Sequence, residues 1–471
     1  MPFCRSIARA ALLALVLSQP ARADTLAIVH GTLIDTLNFG RSTNDVADAT
    51  VIVRNGRIES VGRAKSIWIP RSAHIIDARG RYIVPGLIDG FGAMRTQGFA
   101  NAYLYNGVTT VYVPEAGAVG DGESPRRVLT GADPSPRQFL GAVMTGYSAQ
   151  GEDYAGHPMT EHRLHDPRLP DEALAERLYA LSAKGFRGVT ISYDTWPDQA
   201  DIVIRIARTL HMATLGELAF TTYPYAVRAG IDALVHNDRY LTELATTAHR
   251  LDYSDDPQSG DGARAAYHDV CATDPQSAAV GEYGARLAQS GSALLPLLSI
   301  EATADSLDVP NPWSARSAVL IAPGDLDFPA DKSTGESAFL AEVPPDGRAA
   351  LQDCARHREL LDKRLHELGA RYLAGSGTPA YGIMPGSGLH TELALLQRIG
   401  LSPREALAAA TSNFAEVYGW RDIGRIEPGR DADILVLDSD PRLAVSALDR
   451  ISTLIFDGRV VDRDSLLKTA H

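Results

Sequence analysis

The two ends of the chain carry short runs rich in Val and Ile, separated by turn residues, and this pattern predicts strands. At the amino end the runs cover residues 25–34, 50–53, 57–61, 73–76 and 82–84. At the carboxyl end they cover residues 432–437, 452–456 and 459–461. Asn55-Gly56 and Asp457-Gly458 lie between such runs and are typical of tight hairpin turns. Both ends of the chain are therefore predicted to be all-β.

The middle of the chain alternates short β-branched runs with longer helical stretches. The strand-like runs lie at residues 109–113, 138–145, 188–193, 231–236 and 371–374, and the helical stretches at 171–184, 199–210 and 351–369. Ser402, Pro403 and Glu405 predict the start of a further helix, as N-cap, first-turn proline and capping-box partner. Repeated alternation of strand and helix indicates a parallel sheet with crossover helices. The number of units favours an α/β fold, a (β/α)8 TIM-type barrel, over an open sheet.

These patterns divide the chain into a composite domain and a barrel. Residues 24–84 and 420–471 are predicted to form one small β-sandwich domain from both chain ends, and residues 85–419 the barrel. Within the barrel, residues 241–345 are polar, contain Pro, Asp and Gly turns, and do not divide into strand and helix units. We expect an elaborated loop region with short helices there.

The first 23 residues have the order of a secretory signal. Arg5 and Arg9 precede an apolar run at residues 10–17, and Ala21-Arg22-Ala23 provides the small residues of a cleavage site. The apolar run is shorter than the roughly 20 residues that a membrane helix needs, and no other stretch is long and apolar enough. We therefore expect a secreted or periplasmic protein without a membrane span.

The composition of the chain restricts the kinds of partner that we expect it to bind. The chain has 471 residues, of which 45% are hydrophobic and 22% charged, with a formal net charge of −13 and no basic cluster. An acidic chain of this kind does not suit a nucleic-acid groove, so we expect a small-molecule ligand and a possible homo-oligomer. Beyond the signal, the chain retains Cys271 and Cys354 in an oxidising compartment, and the sequence leaves open whether they pair.

The phrase Ile83-Val84-Pro85-Gly86-Leu87-Ile88-Asp89 resembles the start of the barrel in the amidohydrolase superfamily. Residues 107–111 resemble the second barrel strand of that family, and residues 426–433 its return to the small β domain. Residues 385–393 and 406–413 are similar to its imidazolonepropionase-like and exported dipeptidase-like branch. The resemblance implies the same barrel and the hydrolysis of non-peptide or dipeptide carbon–nitrogen bonds.

Enzymes of this family use one or two divalent metals, which lower the pKa of bound water from about 16 toward about 7. The resemblance implies histidine, carboxylated lysine and aspartate ligands at the strand ends. The corresponding positions here are Phe91, Ala93, Thr190, Gly216, His236 and Gly377. His236 is the one possible ligand among them, so the resemblance predicts a degenerate metal centre and no cofactor at this place.

The side chains at this end of the barrel still offer a binding pocket. His236 is a candidate hydrogen-bond partner for substrate or a metal-free general base, since a histidine pKa lies near working pH. Glu217 and Asp194 are candidate partners for it, and Phe91, Thr190 and Tyr193 are further candidate pocket residues, with Trp196, Tyr223 and Tyr225 as neighbouring aromatics. The alternative is structural: a hydrogen-bonded histidine, solvated acids and packed aromatic rings.

The densest group of potential metal ligands lies elsewhere. It comprises His157, Glu161, His162, His165 and Asp166. Two imidazoles and a carboxylate suit a first-row metal, so zinc or another divalent metal is expected only if the site has relocated to this loop. Gly156-His157 also resembles a substrate-side Gly-His of the imidazolonepropionase-like branch, which makes His157 a candidate pocket residue.

Three hypotheses about function remain. The first is an exported amidohydrolase-like protein that binds a small ligand or has altered, metal-independent chemistry. The second is an active metal-dependent amidohydrolase with a relocated site. The third is a non-catalytic structural or partner-binding protein. Whether the chain is an enzyme stays open at this stage.

Overall fold

The computed structural model describes residues 25–117, 134–146, 168–255, 257 and 261–468. The strands β1–β8 are Thr25–Leu33, Val46–Arg54, Arg57–Arg63, His74–Asp77, Tyr82–Pro85, Leu87–Asp89, Val108–Gly117 and Arg137–Met144. The strands β9–β15 are Gly188–Ile191, Ala213–Gly216, Ala233–Val235, Ala293–Leu295, Ile434–Leu437, Ile451–Phe456 and Arg459–Val461.

The α-helices of the described residues are numbered in chain order. Helices α1–α8 are Gln97–Tyr105, Asp171–Ala183, Pro197–Thr209, Tyr223–Ala229, Asn237–Tyr240, Thr247–Asp255, Asp261–Ala272 and Ala278–Gln289. Helices α9–α15 are Leu298–Ala304, Ala338–Glu342, Pro345–Glu367, Ser387–Arg398, Pro403–Ala409, Asn413–Val417 and Arg463–Leu466. None of these helices has the length and apolarity to cross a membrane.

Both ends of the chain contribute to one sheet, as the strand pattern predicts. Its order is β15-β14-β13-β5-β1-β2-β3. The sheet forks at β1, whose first half pairs with β4 and whose second half pairs with β5. The predicted hairpins are confirmed: Asn55 and Gly56 both have positive φ between β2 and β3, as do Asp457 and Gly458 between β14 and β15.

The barrel is built from parallel strands in the order β12-β11-β10-β9-β8-β7-β6. A short segment at residues 371–374 takes the position of the eighth strand and closes the barrel. Leu373 N donates to Leu294 O at 2.9 Å on one side, and Gly90 N donates to Ala374 O at 2.9 Å on the other. The α/β barrel with a small β domain from both ends is therefore confirmed.

The polar region at 241–345 is more regular than its sequence suggests. It contains helices α6–α10 and strand β12, which pairs in parallel with β11 and is the seventh strand of the barrel. The expected short helices are present, but the expectation did not include a barrel strand in this region. A strand of three residues, Ala293–Leu295, is too short to show a period of its own.

Apolar side chains fill the interior of the barrel, and aromatic rings close the end at which the strands begin. Alternate residues of the strands point inward, among them Ala213 and Leu215 on β10, and pack in one apolar cluster. The same cluster includes Phe414 and Trp420, whose rings stack at 5.6 Å, and Trp420 meets Phe139 near the start of β8. Because aromatic rings fill the amino-terminal end of the strands, a ligand can approach from the carboxyl-terminal end, which is called the barrel mouth below.

Charged contacts tie the two parts of the molecule together. Arg137, at the start of β8, lies 3.2 Å from an oxygen of Asp433 and 3.3 Å from one of Asp457, both in the small sheet region. Cys271 of α7 and Cys354 of α11 form a disulfide that joins two helices packed outside the barrel. The alternative that the sequence left open is thus resolved in favour of pairing.

Candidate functional site at the barrel mouth

The fifth barrel strand places a carboxylate at the mouth. Ala213 and Leu215 of β10 point into the barrel, and Glu217 continues this alternation just after the strand. A side chain at Gly216 would instead meet Ile231 at 2.8 Å, on the outer layer. Alignment to Gly216 was therefore off by one residue, and the side chain that the fifth strand presents at the mouth is that of Glu217.

The sixth strand places His236 opposite this carboxylate. His236 follows β11 with φ of 61°, a left-handed backbone conformation that a non-glycine residue rarely adopts. Its Nε2 lies 3.5 Å from Glu217 Oε1, and the two side chains are 20% and 15% exposed. The ring of Phe91 meets the imidazole edge-on, with centroids 5.5 Å apart. Three predicted pocket residues are thus brought together.

Tyr193 completes the group on the side of the fourth strand. Its hydroxyl donates to Glu217 Oε2 at 2.9 Å. The guanidinium of Arg239 lies 5.4 Å from the centroid of the Tyr193 ring, a cation–π contact. Both oxygens of Glu217 are therefore engaged, one by the phenol and one by the imidazole, which holds the carboxylate in place.

The pair fixes its own ionisation. Burial favours the neutral form of Glu217, yet the hydrogen bond and charge of His236 outweigh it and lower the pKa of Glu217 to about 2. Burial likewise opposes the charged form of His236, but the contact with Glu217 raises its pKa above the ordinary value. An imidazolium facing a carboxylate is the form that these shifts favour near neutral pH.

Apart from His236, only one of the positions where the resemblance implies metal ligands carries a polar side chain, and that residue is Thr190. Thr190 lies on β9 among inward-facing residues, and its hydroxyl is buried without a hydrogen-bond partner among the described residues. Gly377 has φ of 70°, and a side chain there would meet Ile300 Cγ1 at 2.4 Å. The backbone and packing at Gly377 therefore do not suit an aspartate as they stand.

Asp89, the last residue of the phrase at residues 83–89, makes its hydrogen bonds within the wall of the barrel. Its Oδ1 accepts from Ser376 N at 2.8 Å and so ties the first strand to the eighth, while Oδ2 has no partner among the described residues. The side chain is fully buried, and this burial raises its pKa to about 6.

Several predicted site residues have structural roles instead. Asp194 accepts hydrogen bonds from Ser192 and Thr145, so as a partner for His236 it was the wrong choice. Glu392 of α12, a further buried acid at this end of the barrel, accepts from Ser299 N at 2.7 Å and thereby caps helix α9.

The aromatic residues near Tyr193 are also dispersed. Tyr225 donates to Asp201 at 2.7 Å on α3, and the Trp196 ring packs on Phe220 at 4.9 Å. Leu218 N donates to the hydroxyl of Tyr223 at 3.3 Å. Of this set, Tyr193 alone contacts the pair at the mouth.

Sequence reasoning missed the charged residues that surround the pair. Arg239 lies 3.2 Å from Asp238, which is two residues after His236. Arg358 of α11 lies 2.9 Å from Glu301 of α9, and burial raises the pKa of Glu301 to about 8. Asp238 acts electrostatically on both Glu301 and His236. No motif marks these residues. The short helices that supply Arg239 and Glu301 were not predicted, and Arg358 lies on the predicted helix at residues 351–369 without a sequence signal for its contact.

The number and arrangement of the side chains at the mouth decide whether they could hold a metal ion. A catalytic zinc needs about three protein ligands, and the mouth offers His236 and Glu217, which already engage one another. Over the described residues, no three His, Cys, Asp or Glu side chains are arranged to hold an ion. These residues do not fit a binuclear centre. His157, Glu161, His162, His165 and Asp166 lie outside the described residues.

A parallel barrel with converging polar side chains at the strand ends defines the class of (β/α)8 barrel proteins that act on small molecules at this face. Residues 333–461 match the model of the amidohydrolase family. Over this segment the chain is similar to the amidohydrolase superfamily.

Relatives and solved structures agree with this assignment. An imidazolonepropionase from Anaeromyxobacter sp. is 33% identical over 160 residues, covering 30% of this chain and 38% of the relative. An adenine deaminase from Listeria monocytogenes is 28% identical over 152 residues, covering 31% of this chain and 24% of the relative. These alignments span less than two-fifths of either relative.

Two solved structures share the fold over almost the whole chain. A bottromycin amidohydrolase has a TM-score of 0.65 at 18% identity, covering 96% of this chain and 91% of its own. A prolidase-like protein from Bifidobacterium longum, described as a putative prolidase, has a TM-score of 0.57 at 20% identity, covering 95% and 99%.

Proposed function

We propose that this chain binds a small amide- or carboxylate-bearing molecule at the barrel mouth without a binuclear metal centre, and that the His236–Glu217 pair anchors it. The observation that carries the proposal is the pair itself, with Nε2 of His236 3.5 Å from Glu217. The pair lies at the ends of the fifth and sixth barrel strands, where the resemblance implies metal ligands. The family's hydrolase chemistry makes carbon–nitrogen compounds the first ligands to consider.

The imidazolium has a donor to offer to a ligand. Nε2 of His236 faces Glu217, and within the described part of the chain Nδ1 makes no hydrogen bond. Since Glu217 keeps the ring protonated, Nδ1 carries a proton that a carbonyl or carboxylate oxygen of a ligand can accept. The adjoining Phe91 ring adds an apolar surface beside that donor. The arrangement suits binding, and it also suits stabilisation of negative charge on a carbonyl oxygen.

The direct test is ligand binding by protein stripped of metal with EDTA. Ala-Pro and other dipeptides are the probes, since the solved structures that share the fold include a Xaa-Pro dipeptidase. We expect at least one dipeptide to raise the thermal midpoint of the stripped protein, because a ligand that binds only the folded state stabilises it. His236→Gln and Glu217→Gln are expected to abolish that rise.

The matched control is His30→Gln. His30 Nδ1 lies 2.9 Å from Asp48 in the small sheet, so this variant breaks a histidine–carboxylate pair remote from the mouth. It is expected to respond to the dipeptide as the unchanged protein does. Dipeptide binding that appears only after zinc is added back would contradict the proposal and favour a relocated metal site. The absence of a rise with every probe would also contradict it.

We also propose that the protein is exported. The order of residues 1–23 and the Cys271–Cys354 disulfide support this, since disulfides persist in oxidising compartments. Cell fractionation tests it: the protein is expected in the periplasm or medium and shortened at its amino end. Full-length protein confined to the cytoplasm would contradict export.

A further inference from the structure

A cavity of about 580 Å³ lies on the flank of the barrel, away from His236 and Glu217. It opens where the segment of residues 308–316, helix α12 and the stretch of residues 445–449 meet. Sites for small molecules usually have volumes of roughly 300–1,000 Å³. The lining side chains that matter here are Tyr105, Asp308, Arg316, His390, Asp449 and Arg463.

Two guanidinium groups share one aromatic ring in this cavity. The Cζ atoms of Arg463 and Arg316 lie 4.6 and 5.9 Å from the centroid of the Tyr105 ring. Arg463 is held in place because its Nε donates to Tyr105 O at 2.9 Å and its Nη1 to Ile451 O at 2.5 Å. Backbone carbonyls are uncharged, so these bonds position the guanidinium without neutralising it.

The acidic side chains of the cavity leave this charge in place. Asp449 lies 2.9 Å from Nδ1 of His390, and the third guanidinium on the wall, that of Arg398, pairs with Glu359. Within the described residues, neither Arg316 nor Arg463 forms an ion pair with a carboxylate. Asp308 lines the same wall.

The two guanidinium groups affect one another. Burial lowers the pKa of Arg463, Tyr105 and Asp464 oppose this, and the charge of Arg316 adds a smaller lowering. Holding two like charges near one ring in a half-buried setting costs free energy. An oxyanion between them would relieve the repulsion and accept charge-assisted hydrogen bonds from both.

We propose that this cavity is a second binding site, which takes a small anion through a carboxylate or phosphate group held between Arg316 and Arg463 over Tyr105. This site is independent of the function proposed for the barrel mouth. Its ligand does not contact His236 or Glu217, and its occupancy does not require them.

Calorimetric titration of the full chain tests the proposal. The titrations use His236→Gln protein, so that the anchor at the mouth is removed, and inorganic phosphate and citrate are titrated separately against sodium chloride of matched ionic strength. We expect one anion to bind per chain with phosphate, citrate or both. Binding of phosphate alone assigns the site to phosphate groups, and binding of citrate alone assigns it to carboxylates.

The variant that decides is Arg316→Gln, because Arg316 is exposed and its loss leaves the carbonyl contacts of Arg463 intact. It is expected to weaken binding by at least about tenfold, since one charge-assisted hydrogen bond is lost. The control is Arg228→Gln: Arg228 is also exposed, and its Cζ lies 5.8 Å from the Tyr225 ring outside the cavity. That variant should bind as its parent does.

Three results would overturn the proposal. One is the absence of saturable binding of either anion beyond the chloride control. Another is unchanged affinity in Arg316→Gln. The third is an equal loss in Arg228→Gln, which would show that the anion responds to general surface charge rather than to the cavity.

Discussion

His236 and Glu217 face each other at the barrel mouth, and the charge of each one stabilises the charge of the other. The folded pKa of Glu217 is about 2, below its ordinary value of 4.5, so its contribution to stability is complete above pH 4.5 and is lost as the pH falls toward 2. The folded pKa of His236 is raised above 6.5, so its contribution is complete below pH 6.5 and is lost as the pH rises through the raised value. The pair therefore stabilises the fold most between these limits.

Glu217→Gln tests this dependence. At pH 6 the substitution is expected to lower the free energy of unfolding by about 2 kcal/mol, the typical worth of a hydrogen bond between charged groups. At pH 9 the loss is expected to be smaller, because the neutral fraction of His236 rises with pH and a neutral imidazole gains less from the carboxylate. Urea denaturation at the two pH values measures the difference.

Tyr193→Phe is the control for that experiment. It removes the hydroxyl that donates to Glu217 and leaves the ion pair in place. Its cost is expected to be nearly the same at pH 6 and pH 9, since burial raises the pKa of Tyr193 well above 10. An equal cost of Glu217→Gln at both pH values would show that the pair is not ionised as described.

Gly377 gives a second prediction for a single residue. Gly377→Asp is expected to destabilise the protein, because φ is 70° there and the new side chain meets Ile300 at 2.4 Å. Gly429→Asp is the matched control: Gly429 has φ of 87°, and nothing lies within 4 Å of its would-be side chain. Overpacking should make the Gly377 variant less stable by about 1–3 kcal/mol beyond the control. Equal thermal midpoints for the two variants would refute the steric account.

Residue identities at the mouth were partly predictable. The phrase ending in Asp89 marks the end of the first barrel strand, and the structure brings the predicted pocket residues Phe91, Glu217 and Tyr193 together with His236. The choice of Gly216 over Glu217 as the inward position was not resolved, because a one-residue shift reverses the face of a strand and only neighbouring packing fixes it.

Helices α7 and α11 are joined by the disulfide between Cys271 and Cys354, which closes a loop with a sequence separation of 83 residues. Arg358 of α11 donates to Cys354 Sγ at 3.1 Å and also contacts Glu301. The disulfide therefore fixes the helix that supplies Arg358 to the charged groups near the mouth.

Replacing both cysteines by serine is expected to lower the free energy of unfolding by about 4 kcal/mol, from the chain entropy of a loop of this length. Thermal denaturation with and without a reductant measures the effect. The unchanged protein should lose stability on reduction, and the double variant should not respond. Two titratable thiols at positions 271 and 354 in protein purified from an oxidising compartment would contradict the pairing.

Among the secondary-structure elements, the sequence predicted those with a clear hydrophobic periodicity or capping signal and missed some of the short strands. The capping box at Ser402 is confirmed, with Glu405 N donating to Ser402 Oγ at 3.2 Å at the start of α13. The predicted run at residues 371–374 pairs with its neighbours and closes the barrel, whereas strand β12, which no local pattern indicates, depends on pairing with β11. Such short strands gain their stability from the sheet, so a local pattern carries little information about them.

In the whole molecule, a (β/α)8 barrel carries the side chains of His236 and Glu217 at its mouth. Their arrangement suits an ion pair better than a metal ion. Arg137 joins the barrel to the small sheet through Asp431 and Asp433, two acids of the phrase at residues 426–433. The fold and the chemistry at its mouth are thus separable: the framework depends on packing and on contacts of this kind, and the activity depends on a few side chains.

The measurement that tests the account most directly is the metal content of purified protein after dialysis, determined by elemental analysis. The account predicts substoichiometric zinc and other divalent metals, both as purified and after incubation with zinc followed by dialysis. Stoichiometric metal that survives dialysis and is lost in His236→Gln would contradict it, because His236 would then be a ligand rather than the partner of Glu217.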